Sequence, residues 1–395
     1  MRNSIFILLL LSVGATAQVD SLPYFADHSD DVSCVVFSPD GKYVLTGSWD
    51  NTVIIHRNDS IAETLQVLDG FRGAVKTMAF SRDGYRLIIG GQDGRLNFYD
   101  FDDSNYEIAT KDTAFFLENT QINKLIYGPG MRTVFSAGDD GHFITFDLVK
   151  EKMMPIKGTK SITAAAVAID RMSYFIAVQG SPVINQFDIF GKLINTFVGH
   201  GNDLTDLLVT VDRKYLISSS KDKTIRVWEI ANAREESLFM EHTWAVTDID
   251  MDPFGQYLVS SSLDGTVNLY DLKEKALKEQ YKLTEHKVNA VALSPDNTKI
   301  VAAAQPEGVS DSAGFFFIET EIPARKVVMP KKMDLEAVRK INQERAKKIK
   351  EEKNAEAKEG TDSALNKRTS TTKPNANTKV LKQTKQVTIT ITDDE

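Results

Sequence analysis

One acidic position recurs along the chain at a nearly constant interval, and that interval decides what the sequence can fold into. Asp50, Asp93, Asp140, Ser181, Asp222 and Asp264 hold corresponding places in short polar turns, and extrapolation puts a seventh at Pro306. The spacings are 43, 47, 41, 41, 42 and 42 residues. A unit of about 40–45 residues cannot bury its own apolar face and must stack against copies of itself. The clearest copy runs from Gly199 to Glu229. Two apolar runs, Leu204 to Val211 and Tyr215 to Ser219, flank the turn Asp212-Arg213-Lys214, and a third, Thr224 to Trp228, follows Lys221-Asp222-Lys223. Such alternation of β-favouring runs and polar turns predicts an antiparallel meander.

The Gly199-His200 pair, the small-residue strand leading to Asp222 and the closing Trp228-Glu229 resemble one repeat of the WD40 family, with Glu229 in place of the usual final Asp. Seven units at this period then imply an all-β fold, a seven-bladed β-propeller spanning residues 18–328. Outer strands fit at Leu193–Val198 and Gln280–Leu283. A similar run, Pro23–Ala26, has no earlier blade to join. The resemblance implies that this N-terminal strand completes the last blade and closes the ring. Blade 4 is the most eroded, with a first turn one residue short, and blade 7 replaces its Asp turn with the loop QPEGVSDS before the strand Gly314–Ile318.

The resemblance also implies a buried hydrogen-bonded chain in each blade, running from a His through a Ser or Thr and the turn Asp to a Trp. Blade 5 offers His200, Ser218, Asp222 and Trp228; blade 6 offers His242, Ser260 and Asp264; blade 1 offers His28, Thr46 and Asp50, with His56 in the Trp place. A Ser-His-Asp set invites comparison with a hydrolase triad. Its recurrence at blade period and the lack of a G-x-S-x-G elbow argue for structure instead. Metal-binding His/Cys spacings, a Walker A loop and G-x-G-x-x-G are missing. Asp100 to Asn105 begins like a calcium loop but lacks the central Gly and distal Glu. The expectation is a non-enzyme without catalytic residues, metal or cofactor.

By the same resemblance, protein partners sit on the wide mouth of the ring. The residues three and five past the His position and the one before the turn Asp would face it: Asp31, Ser33 and Trp49; Ala74, Lys76 and Gln92; Gln121, Asn123 and Asp139; Asp203, Thr205 and Lys221; Ala245, Thr247 and Leu263. Most are polar. Trp49 stands out as a contact anchor and Leu263 as a weaker second, and Trp244, in the entry loop of blade 6, could add to the same surface.

Both ends of the chain carry other signals. Met1-Arg2-Asn3, the apolar run Ile5–Val13 and Ala15-Thr16-Ala17 read as a cleaved export signal over residues 1–17, which predicts an exported, bacterial-type member, periplasmic or secreted, beginning near Gln18. Only Cys34 is available as a thiol, and its place in a strand marks it as a small buried residue. Residues 329–395 hold 16 Lys or Arg and 11 Asp or Glu, so that segment carries +5 of the chain's −8, leaving −13 elsewhere, or −14 without Arg2. An acidic body of this kind disfavours nucleic acid. Asp334 caps a predicted charged helix within 329–359, with Leu335, Val338, Ile341, Ala346 and Ile349 on one face. Residues 360–386 read as disordered linker, and Val387–Thr392 alternates like a strand able to join a sheet edge. Together these features predict a cell-envelope scaffold for protein partners. The competing reading is a propeller enzyme or small-ligand sensor with its site in the central channel. A weaker one lets the basic extension touch anionic surfaces.

Overall fold

The computed structural model describes residues 16–18 and 24–344, apart from 103, 105–107, 117–119, 129, 151, 157, 159, 169–172, 284–285, 307–312, 336, 339 and 342. Seven antiparallel sheets, each a meander of four strands, stand around a common axis. Their innermost strands are Val32–Phe37, Val75–Phe80, Ile122–Tyr127, Ile162–Ala168, Leu204–Val209, Val246–Met251 and His286–Leu293. Each meets the next and the seventh meets the first, so the ring is closed. The spacing of 47 between Asp93 and Asp140 comes from blade 2, whose outermost strand, Ala109–Phe116, is eight residues long and follows a long connection from Phe101.

The core sits between blades. Seven apolar clusters fill the seven seams; the one between blades 4 and 5, for example, joins Phe175 and Phe197 to Leu207 and Trp228. A middle strand such as Tyr43–Ser48 is buried at every position because neighbouring blades cover both faces. That is the physical reason one unit cannot stand alone.

Closure follows the expected route. Tyr24–His28 pairs antiparallel with Ala313–Glu319 as the outermost strand of blade 7, setting Tyr24 opposite Phe316 and Phe25 opposite Phe315. The backbones pass so close that a Cβ on Gly314 would lie 1.9 Å from the Phe25 carbonyl oxygen. Thr16–Gln18 adds a short parallel fifth strand to blade 6 beside Gln280–Lys282.

One expectation changes. In blade 4 the turn hydrogen bond runs from Ser181 N to the Val178 carbonyl, as it does from Lys223 N to Ser220 in blade 5. Gly180, at φ +75°, therefore holds the Asp position instead of Ser181, and the turn carries an extra residue. In blade 7 the extrapolated position, Pro306, is the last residue of the strand Lys299–Pro306, and the rest of the loop that replaces the Asp turn lies outside the described residues. Residues 320–334 form no strand, and the helix opens at Leu335, directly after Asp334.

Those residues instead form a strap across one face of the ring. Arg325 N donates to the Asp296 carbonyl at 2.9 Å, and the Arg325 guanidinium lies over Phe254 at 4.6 Å. Further on, Lys332 sits over the Tyr85 ring at 4.5 Å and Met333 N donates to Asp83 Oδ2 at 2.7 Å. Asp334 then caps the helix, Oδ1 accepting from Ala337 N at 2.9 Å. Leu335, 7% exposed, enters the seam between blades 2 and 3 beside Ile88, Phe98, Phe146 and Leu148. Burial of a leucine stabilises by roughly 1.5–3 kcal/mol, which is enough to seat the strap. Ile341, further along the predicted stripe, is exposed. The leader up to residue 15, the helix positions Ala346 and Ile349, the linker and Val387–Thr392 lie outside the described residues.

Candidate functional site

The Ser, His and Asp sets are tied to one another inside the blades. In blade 5, His200 Nδ1 meets Asp222 Oδ2 and Nε2 meets Ser218 Oγ, both at 2.8 Å, while Trp228 Nε1 donates to Ser218 Oγ at 2.8 Å. Blade 1 repeats this with His28, Asp50 at 2.9 Å and Thr46 at 2.8 Å; His56, fully buried in the Trp place, approaches Thr46 Oγ1 at 3.3 Å. In blade 6, His242 Nε2 meets Ser260 Oγ at 2.6 Å, but its Nδ1 turns to Thr266 Oγ1 at 2.9 Å and leaves Asp264 at 3.5 Å. A Thr two residues past the Asp, at Thr52, Thr224 and Thr266, therefore belongs to each set and was not foreseen. The repeated D-x-T spacing was its only signal.

Electrostatics agree with the geometry. Burial alone would raise the Asp222 and Asp264 carboxyls, yet the bonds from His200 and His242, from Thr224 and Thr266, and from the next backbone N–H outweigh it and hold both well below the usual range. Burial lowers His56 to about 4, against the opposing pull of Asp27. Ser218 and Ser260 are fully buried. No substrate can reach them without the blade opening.

At the end of the strands carrying the Asp turns, the predicted contact residues divide. Each of the five inner strands that carry them has a β-bulge at its second position, and the bulged side chain is re-aimed sideways. Ser33 donates to the Val75 carbonyl of the next blade, Asn123 to that of Ile162 at 2.9 Å and Thr247 to that of Val288 at 2.8 Å. Thr205 pairs with Ser219 at 2.8 Å, and Lys76 reaches Gln121 at 2.7 Å. Apart from Thr205, whose partner lies in its own blade, these residues stitch blades together. Asp139 accepts from Ser161 at 2.6 Å; Asp203 accepts from Gly180 N at 2.8 Å and faces Lys221 at 3.5 Å. Gln92 Oε1 takes the Ala74 N–H at 3.4 Å, Asp31 is half-buried, and Leu263 is half-buried like Gln121. Outward this face presents two tryptophans, Trp49 at 46% and Trp244 at 57% exposure, beside the exposed Gln92, Asp139 and Lys221.

One residue further along the inner strands, the side chains form a layer in the central channel: Cys34, Thr77, Lys124, Ala164, Asp206, Asp248 and Ala290. Lys124 reaches past Ala164 to Asp206 Oδ1 at 2.6 Å. Asp248 Oδ2 accepts from Val291 N at 3.0 Å, and Asp250, one layer on, from Leu293 N at 2.9 Å. Asp206 Oδ2 is buried without a hydrogen-bond partner among the described residues. Beside them lies a cavity of about 260 Å³ walled by Phe37, Phe80, Leu208 and Val291. Burial raises Asp248 to about 8, with Asp206 adding to the shift, and raises Asp250 to about 6. Burial pulls Lys124 down, but the three aspartates outweigh it and leave it raised. The thiol of Cys34 is pushed up to about 12 by burial, which leaves it protonated and inert. This charged layer was missed because its members sit at one strand position in different blades and share no residue type. Among the described residues no group of three or more His, Cys, Asp or Glu is placed to hold a metal ion.

Four segments, residues 20–57, 62–100, 191–229 and 234–271, match the WD40 family described as "WD domain, G-beta repeat". Each match opens on the outermost strand of one blade and ends on the third strand of the next, which is why an N-terminal strand is left to finish blade 7. The chain is similar to "Periodic tryptophan protein 2 homolog" of Dictyostelium discoideum, 29% identical over 178 residues, covering 43% of this chain and 18% of that protein. It is also similar to "U3 small nucleolar RNA-associated protein 18 homolog" of Arabidopsis thaliana, 27% over 167 residues, covering 41% and 30%. "WD repeat-containing protein 26 homolog" of Drosophila melanogaster matches at 27% over 225 residues, covering 52% and 32%. The chain spans less than a third of the length of each of these three relatives, all from eukaryotes.

Proposed function

We propose that this WD40-repeat propeller is a non-enzymatic scaffold that holds protein partners on the face bearing Trp49 and Trp244. The observation that carries the reading is the contrast between the two kinds of polar and aromatic residue. Groups able to do acid-base or nucleophilic chemistry are buried and bonded to each other, whereas two tryptophans stand open on one face. Exposed Trp anchors dominate protein interfaces, typically contributing about 2 kcal/mol or more when enclosed by a partner. Affinity capture with the wild type, Trp49→Ala, Trp244→Ala and a chain ending at Val328 tests it. A partner of this face should fall about tenfold or more in recovery with a Trp variant and persist with the shortened chain. Unchanged recovery of every partner from both Trp variants would end the proposal.

The scaffold works outside the cytoplasm in this reading. Support comes from the basic start, the apolar run Ile5–Val13 and the small-residue site ending at Ala17. Cleavage there keeps only Gln18 of the fifth strand on blade 6. N-terminal sequencing of the protein from its native cell should begin at Gln18; an intact Met1 would remove the export reading while leaving the interaction face untouched. No helix among the described residues is long and apolar enough to cross a membrane.

A second reading, a small-ligand sensor, draws on the channel layer. Three aspartates face one lysine beside a cavity, and one carboxylate oxygen, Asp206 Oδ2, has no hydrogen-bond partner among the described residues.

A further inference from the structure

The seam that receives Leu335 has a counterpart three blades round the ring. Strand pairing sets Val75 of blade 2 in the register of Leu204 in blade 5, which matches Ser81 with Thr210, Asp83 with Asp212, Ile88 with Ile217 and Phe98 with Val227. The same registers match Leu148 of blade 3 with Leu272 of blade 6. The apolar cluster between blades 2 and 3 includes Leu335; the cluster between blades 5 and 6 has the equivalent wall and no such guest among the described residues.

At the guest's place is a cavity of about 360 Å³, lined by Thr210, Asp212, Ile217, Val227, Phe254 and Leu272 among others. Val211 and Phe254 on its rim are 53% and 49% exposed. The polar fitting is also repeated. Asp83 uses Oδ1 on its own turn, accepting from Ser81 Oγ and Tyr85 N, and Oδ2 on the strap's Met333 N. Asp212 makes the same two turn bonds with Oδ1, from Thr210 Oγ1 and Lys214 N. Its Oδ2 is approached by Lys214 Nζ at 4.0 Å and by no backbone N–H among the described residues.

We propose that this second notch binds a short linear segment of a partner protein, in which a backbone N–H precedes by two residues an aliphatic side chain on the first turn of an Asp-capped helix. The chemistry is copied from the Met333-Asp334-Leu335 unit, which this chain uses on itself at the equivalent seam. Lys273 lines the notch, and Lys275 there is bonded to Glu236, which lines it as well, at 2.6 Å. Backbone bonding to Asp212 sets register, and the aliphatic side chain fills the cavity. The notch lies at the opposite ends of the strands from Trp49, so it goes beyond the tryptophan face and stands or falls separately.

A labelled synthetic peptide spanning residues 329–345 of this chain serves as the probe, titrated against the full-length protein by fluorescence anisotropy. Saturable one-to-one binding is expected, weakened about tenfold or more by Val211→Glu, by Asp212→Ala, or by alanine at the peptide's Leu335, and unchanged by Trp49→Ala. Because Val211 and Asp212 are surface residues, thermal melts of both variants should match the wild type, which separates lost binding from lost folding. Three results would overturn the proposal. One is binding indifferent to Val211→Glu. Another is binding that appears only when the full chain carries Leu335→Ala, which places the peptide in the vacated seam of blades 2 and 3. The third is self-association of the full chain abolished by Val211→Glu, which gives the notch to a second copy.

Discussion

Trp228→Ala will destabilise the ring by about 3–5 kcal/mol in chemical denaturation, while the same change at Trp49 will stay within about 0.5 kcal/mol. Trp228 is one of the largest fully buried side chains and packs edge-on to Phe197 in the seam between blades 4 and 5. Its removal opens a cavity between two sheets that cannot both move inward, because each is fixed by its other neighbour. The indole also donates to Ser218 Oγ. Trp228→Phe isolates that bond. It should cost about 0.5–1.5 kcal/mol for the hydrogen bond, plus a smaller packing loss, since Ser218 keeps its bond to His200. Other blades fill the same place with His56, Tyr99, Phe146 and Tyr270, so a buried ring is required there and an indole is not. If Trp228→Ala and Trp49→Ala were equally mild, the polar chains would not be the structural fittings that their burial indicates.

The repeat period exposed most of this architecture in advance, for a physical reason. A sheet that must be covered on both sides repeats its apolar pattern, and turns that must be tight repeat Asp with Gly or Asn. Asn51, Gly94, Gly141, Lys223 and Gly265 all take positive φ after the turn position. Blade 4 misled the ruler by one residue because Gly180 took over the Asp position. Two features could not be read from the chain. The bulge that turns Ser33, Asn123 and Thr247 toward the next blade is a property of strand pairing, and those residues look like ordinary exposed polar positions in sequence. The strap is hidden likewise, because its anchors Arg325, Met333 and Leu335 bind blades far from them in sequence. Helical periodicity found the Asp334 cap but gave no sign of what Leu335 would cover.

The channel layer leads to the other large effect, a loss of stability as the solution turns alkaline. Asp248 is held at about 8 in the folded ring, against an ordinary value of 3.8. The folded state therefore keeps a proton that the unfolded chain has released, and the stability this provides falls as pH rises toward 8. Asp250, at about 6, contributes in the same direction only below that value. His56, held near 4, works oppositely, since the unfolded chain binds its proton as pH drops from 6.5 to 4. Between pH 6.5 and 8, Asp248 is left to set the slope, approaching about 1.4 kcal/mol per pH unit. Cys34, on the same layer, stays protonated throughout that window. Asp248→Asn should flatten the slope, and Lys124→Met should destabilise by about 3–5 kcal/mol at neutral pH, because it leaves Asp206 a buried charge without its counter-ion. Urea unfolding at four or five pH values measures both. A slope that survives in Asp248→Asn would mean that the excess proton resides elsewhere, and a harmless Lys124→Met would mean that Asp206 does not depend on Lys124 as its counter-ion.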